Sequence, residues 1–254
     1  MYATVNPTLI DSPLFRIGSV VKAVRGFEAS RLQPVHDPLG RLRVAGTDLH
    51  TPTGELDVSW LKGAADAYNI SADPRDYILT EVPIVTSDYP NRNLDAFPYD
   101  SLTEFRPMLG RITYATFVGK PTHQDHDNKE PLKAKGIIFD ASLRPVRVRG
   151  NKVYKVFILA GWDRTKDRNL AQAILSGKRP GHSMGALVGR TRCSFCGNMS
   201  DGARYCTHIG PKRERKGRII QGRLVYEDCY DVNYIENSSV DDPADVDANQ
   251  ASVW

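Results

Sequence analysis

The chain has 254 residues, 41% of them hydrophobic and 25% charged, enough for one substantial core with insertions or for two small domains, and not the composition of a collagen-like, coiled-coil or disordered protein. Its formal net charge of +4 is too small for whole-chain electrostatics to imply a nucleic-acid partner. No run approaches the roughly eighteen apolar residues that cross a bilayer, and the first residues lack the basic and apolar regions of a signal peptide, so synthesis in the cytosol and no membrane partner are expected.

Residues 1–73 are irregular and punctuated by Pro and Gly, and read as an N-terminal extension packed on a main domain of residues 74–254. One helix is predicted near Ser59 to Asn69, where Trp60, Leu61, Ala64, Ala65 and Tyr68 recur at helical spacing. Tyr77 to Thr86 reads as a strand, with Pro83 marking an edge or boundary, followed by a turn through Ser87 to Asp95 and a helix or turn through Ser101 to Leu109. Arg111 to Val118 reads as β, then a polar loop from Gly119 to Asn128 carries His123 and His126, and Lys135 to Ala141 is a further strand. Lys152 to Ala160 is a buried strand, and Asp167 to Gly177 a short helix with an acidic start and a glycine stop. Arg223 to Val240 alternates like sheet before an acidic tail that begins near Asp241.

Ser183 lies in Gly181-His182-Ser183-Met184-Gly185, a G-x-S-x-G string of the kind found at nucleophile elbows. A helix and Lys178-Arg179-Pro180 precede it where an α/β-hydrolase would have a buried strand, so that fold is set aside. A serine hydroxyl needs a base within hydrogen-bond reach, and His126 and His123 are the upstream candidates. Read alone, the two histidines with Asp125 and Asp127 also suit a metal site.

Cys193, Cys196, Cys206 and His208 form Cys-x2-Cys-x9-Cys-x-His, with Gly197 placed to turn the chain back around an ion. This is the ligand set of a closed tetrahedral zinc site, and one structural zinc is predicted, with iron or reduced thiols as alternatives and Cys229 as a substitute fourth ligand. Lys212, Arg213, Arg215, Lys216 and Arg218 follow, reading as a solvated basic loop or an anion contact. The knuckle and this loop together span residues 190–218.

Three blocks in this order, Gly119 to Asp140, Ile174 to Ala186 and Ile235 to Asp245, resemble the succession seen in prohead (head maturation) serine proteases of tailed phages. The cysteine segment resembles one that follows the Ser-Met-Gly block in some of these enzymes. The resemblance covers roughly Asp76 to Ala248. It implies an α+β, herpesvirus-assemblin-like fold: an antiparallel β-barrel flanked by helices, with a small zinc-knuckle insertion. It further implies Ser183 as nucleophile, His126 as base (His123 the alternative) and Glu236 as the orienting acid, with Asp241 or Asp242 as alternatives. The implied activity is endopeptidase cleavage of phage scaffold and major capsid proteins, and of the chain itself, inside the assembling prohead in the host cytoplasm, with the portal a further contact and a homodimer compatible with the clan. Competing readings are an inactive virion structural protein that keeps the fold, and a zinc-dependent nucleic-acid-binding module, which leaves the His126 and Ser183 blocks unexplained.

Overall fold

A computed structural model describes residues 34–36, 42–44, 61–107, 109–148, 151–245, 248–249 and 252–253. Most of the N-terminal extension, Trp60 included, lies outside the described residues. Within it, Pro34–His36 pairs antiparallel with Leu42–Val44. Helix α1 (Leu61–Tyr68) buries Leu61, Ala64, Ala65 and Tyr68, the face expected from their spacing, against Tyr77, Ala134, Ile137 and Phe139. Burying side chains such as Leu61 and Tyr68 stabilises by about 1.5–3 kcal/mol each, which fixes this helix to the main domain.

Nine strands form one mixed sheet: β1 (Tyr77–Thr86), β2 (Asp95–Ala96), β3 (Pro121–Gln124), β4 (Gly136–Val148), β5 (Asn151–Asp163), β6 (His182–Cys193), β7 (Met199–Ser200), β8 (Glu227–Ser239) and β9 (Ser252–Val253). The order is β7-β6-β8-β3-β4-β5-β1-β9, with β2 also beside β8. Helices α2 (Tyr99–Thr103) and α3 (Arg168–Leu175) complete an α+β architecture. Asp167 caps α3 by accepting from Leu170 N–H (3.0 Å), and Gly177 follows at φ +69°, as its acidic start and glycine stop anticipated.

The sheet corrects the expectation of an antiparallel barrel in two respects. The ladders of β8 with β3 and with β2 are parallel. Among the described residues the sheet is also open: its end strands β7 and β9 have two residues each and do not pair with each other. Besides β9, which pairs with β1, the described C-terminal residues contribute an isolated bridge from Asn249 to Gly181, with His182 N–H donating to Ala248 C=O (2.8 Å). Arg111 to Val118, read as β, is a strand only at Arg111–Ile112 and then a 3₁₀ helix over Thr113–Phe117. Every residue of that helix is buried, so its sequence carries no face to reveal its period.

Pro83 sits where the register of β1 against β5 shifts, and on its other side β9 covers only Thr80 and Glu81. Its missing donor therefore costs no ladder bond to β9. The long β4–β5 hairpin runs from Gly136 opposite Trp162 to Val148 opposite Asn151. The main core lies on one side of the sheet, where Ile138, Val156, Trp162 and Val232 meet α3 and the 3₁₀ helix, and Phe117 stacks on Tyr234 at 3.9 Å. Gly136 is required by close approach, since a Cβ there would lie 2.0 Å from Gly161 O. Gly136→Ala is expected to cost about 1–3 kcal/mol by overpacking the hairpin, measurable as a lower urea midpoint at unchanged slope.

Candidate functional site

Strands β6 and β8 pair along their whole length and bring the sequence blocks together. Ser183 lies opposite Ser238, and Gly185 opposite Glu236. Side chains directly opposite share a face of the sheet, so Ser183, Glu236 and Ser238 lie on one side. Ser183 is therefore on a strand, not on an elbow. Beyond Gly185 the register slips by one residue, leaving Ile235 as the extra residue of a bulge. Next to that bulge, Tyr234 N–H is satisfied by Thr116 Oγ1 of the 3₁₀ helix (3.1 Å).

His126 arrives from the end of β3. Asp125 (φ +50°) and His126 (φ +58°) both adopt left-handed backbone, and Asp127 N–H donates to Gln124 C=O (2.9 Å), closing a type I′ turn. Non-glycine residues hold such angles only where surrounding bonds impose them. Here Asp125 N–H donates to Ser239 C=O (3.0 Å) and His126 N–H to Ser238 Oγ (3.2 Å). Arg179 ties the same parts together through Asp125 Oδ1 (2.5 Å), Ser239 Oγ (3.2 Å) and Ser239 C=O (3.2 Å).

The turn presents the His126 ring so that its Nδ1–H donates to Glu236 Oε1 (2.8 Å), while the other carboxylate oxygen accepts from Ser238 Oγ (2.6 Å). Glu236 is wholly buried, and both of its oxygens are thus satisfied. Burial works against the charged form of His126, but the hydrogen bond and charge of Glu236 prevail and hold it above the ordinary histidine value. Gly185 belongs to the same constellation: a Cβ there would lie 2.7 Å from Glu236 Oε1. His126 and Ser183 line one cleft, and no hydrogen bond joins them among the described residues. The arrangement offers a hydroxyl, an imidazole with Nε2 free to accept a proton, and a carboxylate behind the ring.

The alternatives fall elsewhere. His123 is completely buried, neither of its ring nitrogens has a hydrogen-bond partner, and burial lowers its pKa. Asp241 reaches Arg179 (3.4 Å) and Asp242 pairs with Arg92, so Glu236 is the acid beside His126. His182, next to the serine, packs near Trp162 and is pushed down to about 3 by burial. Arg179 and Ser238 were not singled out in the sequence. Arg179 stood in a basic run before Ser183, and nothing local shows that its guanidinium would reach across to Asp125 and Ser239.

At the other end of β6, Cys193, Cys196, Cys206 and His208 place one ligand atom each within 4.8 Å of all the others. Two similar turns build this group. Gly197 N–H (φ +74°) donates to Cys193 C=O, and Gly210 N–H (φ +80°) to Cys206 C=O, both at 2.9 Å. His208 Nδ1 is buried without a protein partner. Burial pushes the Cys193 thiol up to about 11. It opposes, but does not prevent, the fall of Cys206 to about 7 through hydrogen bonds led by Ile209 N–H. The group is arranged to hold one metal ion, and the donor set and orphaned imidazole nitrogen fit that use. Among the described residues no other such gathering occurs, and His123, His126, Asp125 and Asp127 do not form one. Cys229 is buried in the main core and takes no part.

The basic loop is largely committed internally. Arg213 bonds Glu227 (2.5 Å) and Asp95 (3.1 Å), and Lys216 bonds Asp95 (2.6 Å) and lies 3.3 Å from Glu227. Glu227 is fully buried and also accepts from Thr191 Oγ1 (2.6 Å). These pairs fasten the knuckle to β2, β6 and β8. Among the described residues no helix is long and apolar enough to cross a membrane.

Compared with known proteins, the chain matches no family model, no curated protein and no solved structure. The purified chain is expected to carry about one equivalent of metal, read by elemental mass spectrometry. Cys206→Ser should lose it, and Cys229→Ala should keep it.

Proposed function

We propose that this chain is a serine endopeptidase of the prohead-maturation kind, with Ser183 as nucleophile, His126 as general base and Glu236 as the group that orients and charges the base. The observation that carries the reading is the His126 Nδ1 to Glu236 Oε1 bond at 2.8 Å, on the face of the sheet where Ser183 stands. In this mechanism Ser183 Oγ attacks a peptide carbonyl carbon and His126 Nε2 takes the hydroxyl proton. Glu236 stabilises the imidazolium through Nδ1–H. His126 then gives the proton to the leaving amine, and water repeats the cycle on the acyl-enzyme. Backbone N–H groups near Gly185 and Ala186 are the candidates for the oxyanion.

The substrates in this reading are phage scaffold and capsid proteins and the chain itself, at the high concentration inside a prohead. The metal is zinc. A set of three thiolates and one imidazole fills a tetrahedral shell, so the ion is structural and holds the knuckle rather than activating water. The internal pairing of Arg213 and Lys216 removes much of the support for a nucleic-acid-binding module. The second reading, a virion structural protein with this fold and no activity, takes its support from the missing hydrogen bond between Ser183 and His126. Catalytic hydrogen bonds often tighten only when substrate binds, which keeps the enzyme reading ahead.

Co-expression with scaffold and capsid protein tests the proposal. Ser183→Ala should lower cleavage by roughly 10⁶-fold, to background, with the chain still folded. The pH dependence has a defined sign. The base must be deprotonated and Glu236 raises its pKa, so the acid limb of kcat/KM should lie above the ordinary histidine value. Glu236→Gln should move that limb to lower pH and reduce kcat/KM by about 10²- to 10⁴-fold. An acid limb that stays in place would remove Glu236 from its role.

A further inference from the structure

We propose that the cysteine knuckle is the distal wall of a peptide groove that begins at Ser183, and that the groove holds its ligand as an extra β-strand on the open edge of β6. The starting point rests on the serine-protease reading. The remainder rests on the edge, the cleft and the fixing of the far wall.

The edge is defined by what pairs with β6. On one side β8 accompanies it from His182 to Cys193. On the other side, among the described residues, Gly181 is bridged to Asn249 and Thr191 and Arg192 pair with β7. From Ser183 to Arg190 no strand pairs with that edge among the described residues, and Ile84 of β1 lies across the cleft from it. Backbone groups left in this way are a template for an extended chain, and a segment of about seven residues, ~24 Å long, would fill the interval.

The cleft follows the same path. A cavity of about 390 Å³ is lined by His126, by β6 from His182 to Thr191 and by Ser200, Asp201 and Tyr205, and is shared by Ile84 of β1, by Asn91 and Phe97 and by Asp245. The middle of its β6 wall is apolar, at Ala186, Leu187 and Val188, and its far end is polar. An occupant with small or apolar side chains next to the scissile bond and a hydrogen-bonding side chain at the knuckle fits this lining. Ser200 and Asp201 lie on the chain between Cys196 and Cys206, so the metal ligands set the shape of the wall that carries them.

That wall is not a free loop. β7 is hydrogen-bonded to Thr191 and Arg192, and the Arg213 guanidinium lies 5.9 Å from the Tyr205 ring centroid while bonding buried Glu227 and Asp95. A fixed wall selects by position, whereas a mobile one would adapt. The ligand is therefore an extended segment of the substrate polypeptide that reads both ends of the groove at once.

The test uses the full chain with Ser183→Ala and fluorescein-labelled peptides of about three, six and ten residues, chosen from a positional-scanning library and measured by anisotropy. Affinity should rise at least tenfold, roughly, from the shortest to the longest. Methylating backbone nitrogens of the best long peptide one at a time should weaken binding about tenfold at every second position and little between, the signature of a strand paired on one edge. Tyr205→Ala should abolish the gain between six and ten residues, roughly the reach of the far wall. Affinity that is flat with length, or equal losses at every methylated nitrogen, would overturn the proposal. Turnover of p-nitrophenyl acetate by the unsubstituted chain, lost in Ser183→Ala, reads the serine chemistry separately. Ester turnover with flat length dependence leaves the protease and refutes the groove, and alternation without ester turnover leaves the groove and refutes the protease.

Discussion

The full-length antiparallel pairing of β6 with β8 is the constraint on which the rest of the molecule depends. The ladder places Ser183 opposite Ser238 and Gly185 opposite Glu236 at one end and, across the one-residue bulge at Ile235, Cys193 opposite Glu227 at the other. A slip of one residue would turn Ser183 to the opposite face and take the serine away from His126 and Glu236. The register is held by long-range partners of β8. β3 and β2 run parallel to β8, and the bulge at Ile235 has its neighbouring Tyr234 N–H bonded to Thr116.

The two ends of β8 follow the same electrostatic logic. Each carries a glutamate with no exposed surface, Glu227 and Glu236, and removing a carboxylate from water costs several kcal/mol unless it is fully partnered. Each is partnered by a hydroxyl and by a cationic or titratable group from a loop. Thr191, Arg213 and Lys216 serve Glu227, and Ser238 and His126 serve Glu236. The buried charges thus anchor the two loops that carry chemistry, the knuckle and the His126 turn, to one rigid strand. At the His126 end the partner has a pKa raised by the contact, which couples the anchoring bond to proton transfer. At the knuckle end the partners are Arg213 and Lys216, and their bonds to Glu227 are structural.

What could be read from the sequence was local. The spacing of Leu61, Ala64, Ala65 and Tyr68 gave α1, the acidic start and glycine stop gave α3, and the cysteine spacing gave the four residues that gather in space. The histidine, serine and glutamate blocks were legible as a succession, and Glu236 does meet His126. What escaped depends on register and distance along the chain. The parallel placement of β3, the open sheet and the clamp by Arg179 are settled by contacts across tens of residues, which no periodicity encodes. Thr113 to Phe117 was misread because a segment buried on all sides has no amphipathic period. The basic run was visible as composition, but its use was not, since its partner Asp95 lies more than a hundred residues away and Glu227 is brought beside it only by the pairing of β8 with β2.

The proposed activity turns on Ser183 being a nucleophile activated by His126. Intact-mass and peptide-mass analysis after exposure to a fluorophosphonate tests it most directly. One covalent adduct is expected on Ser183 of the folded chain, with its loss in His126→Ala. A folded, metal-loaded chain that takes no adduct at Ser183, or takes it equally well without His126, would contradict it.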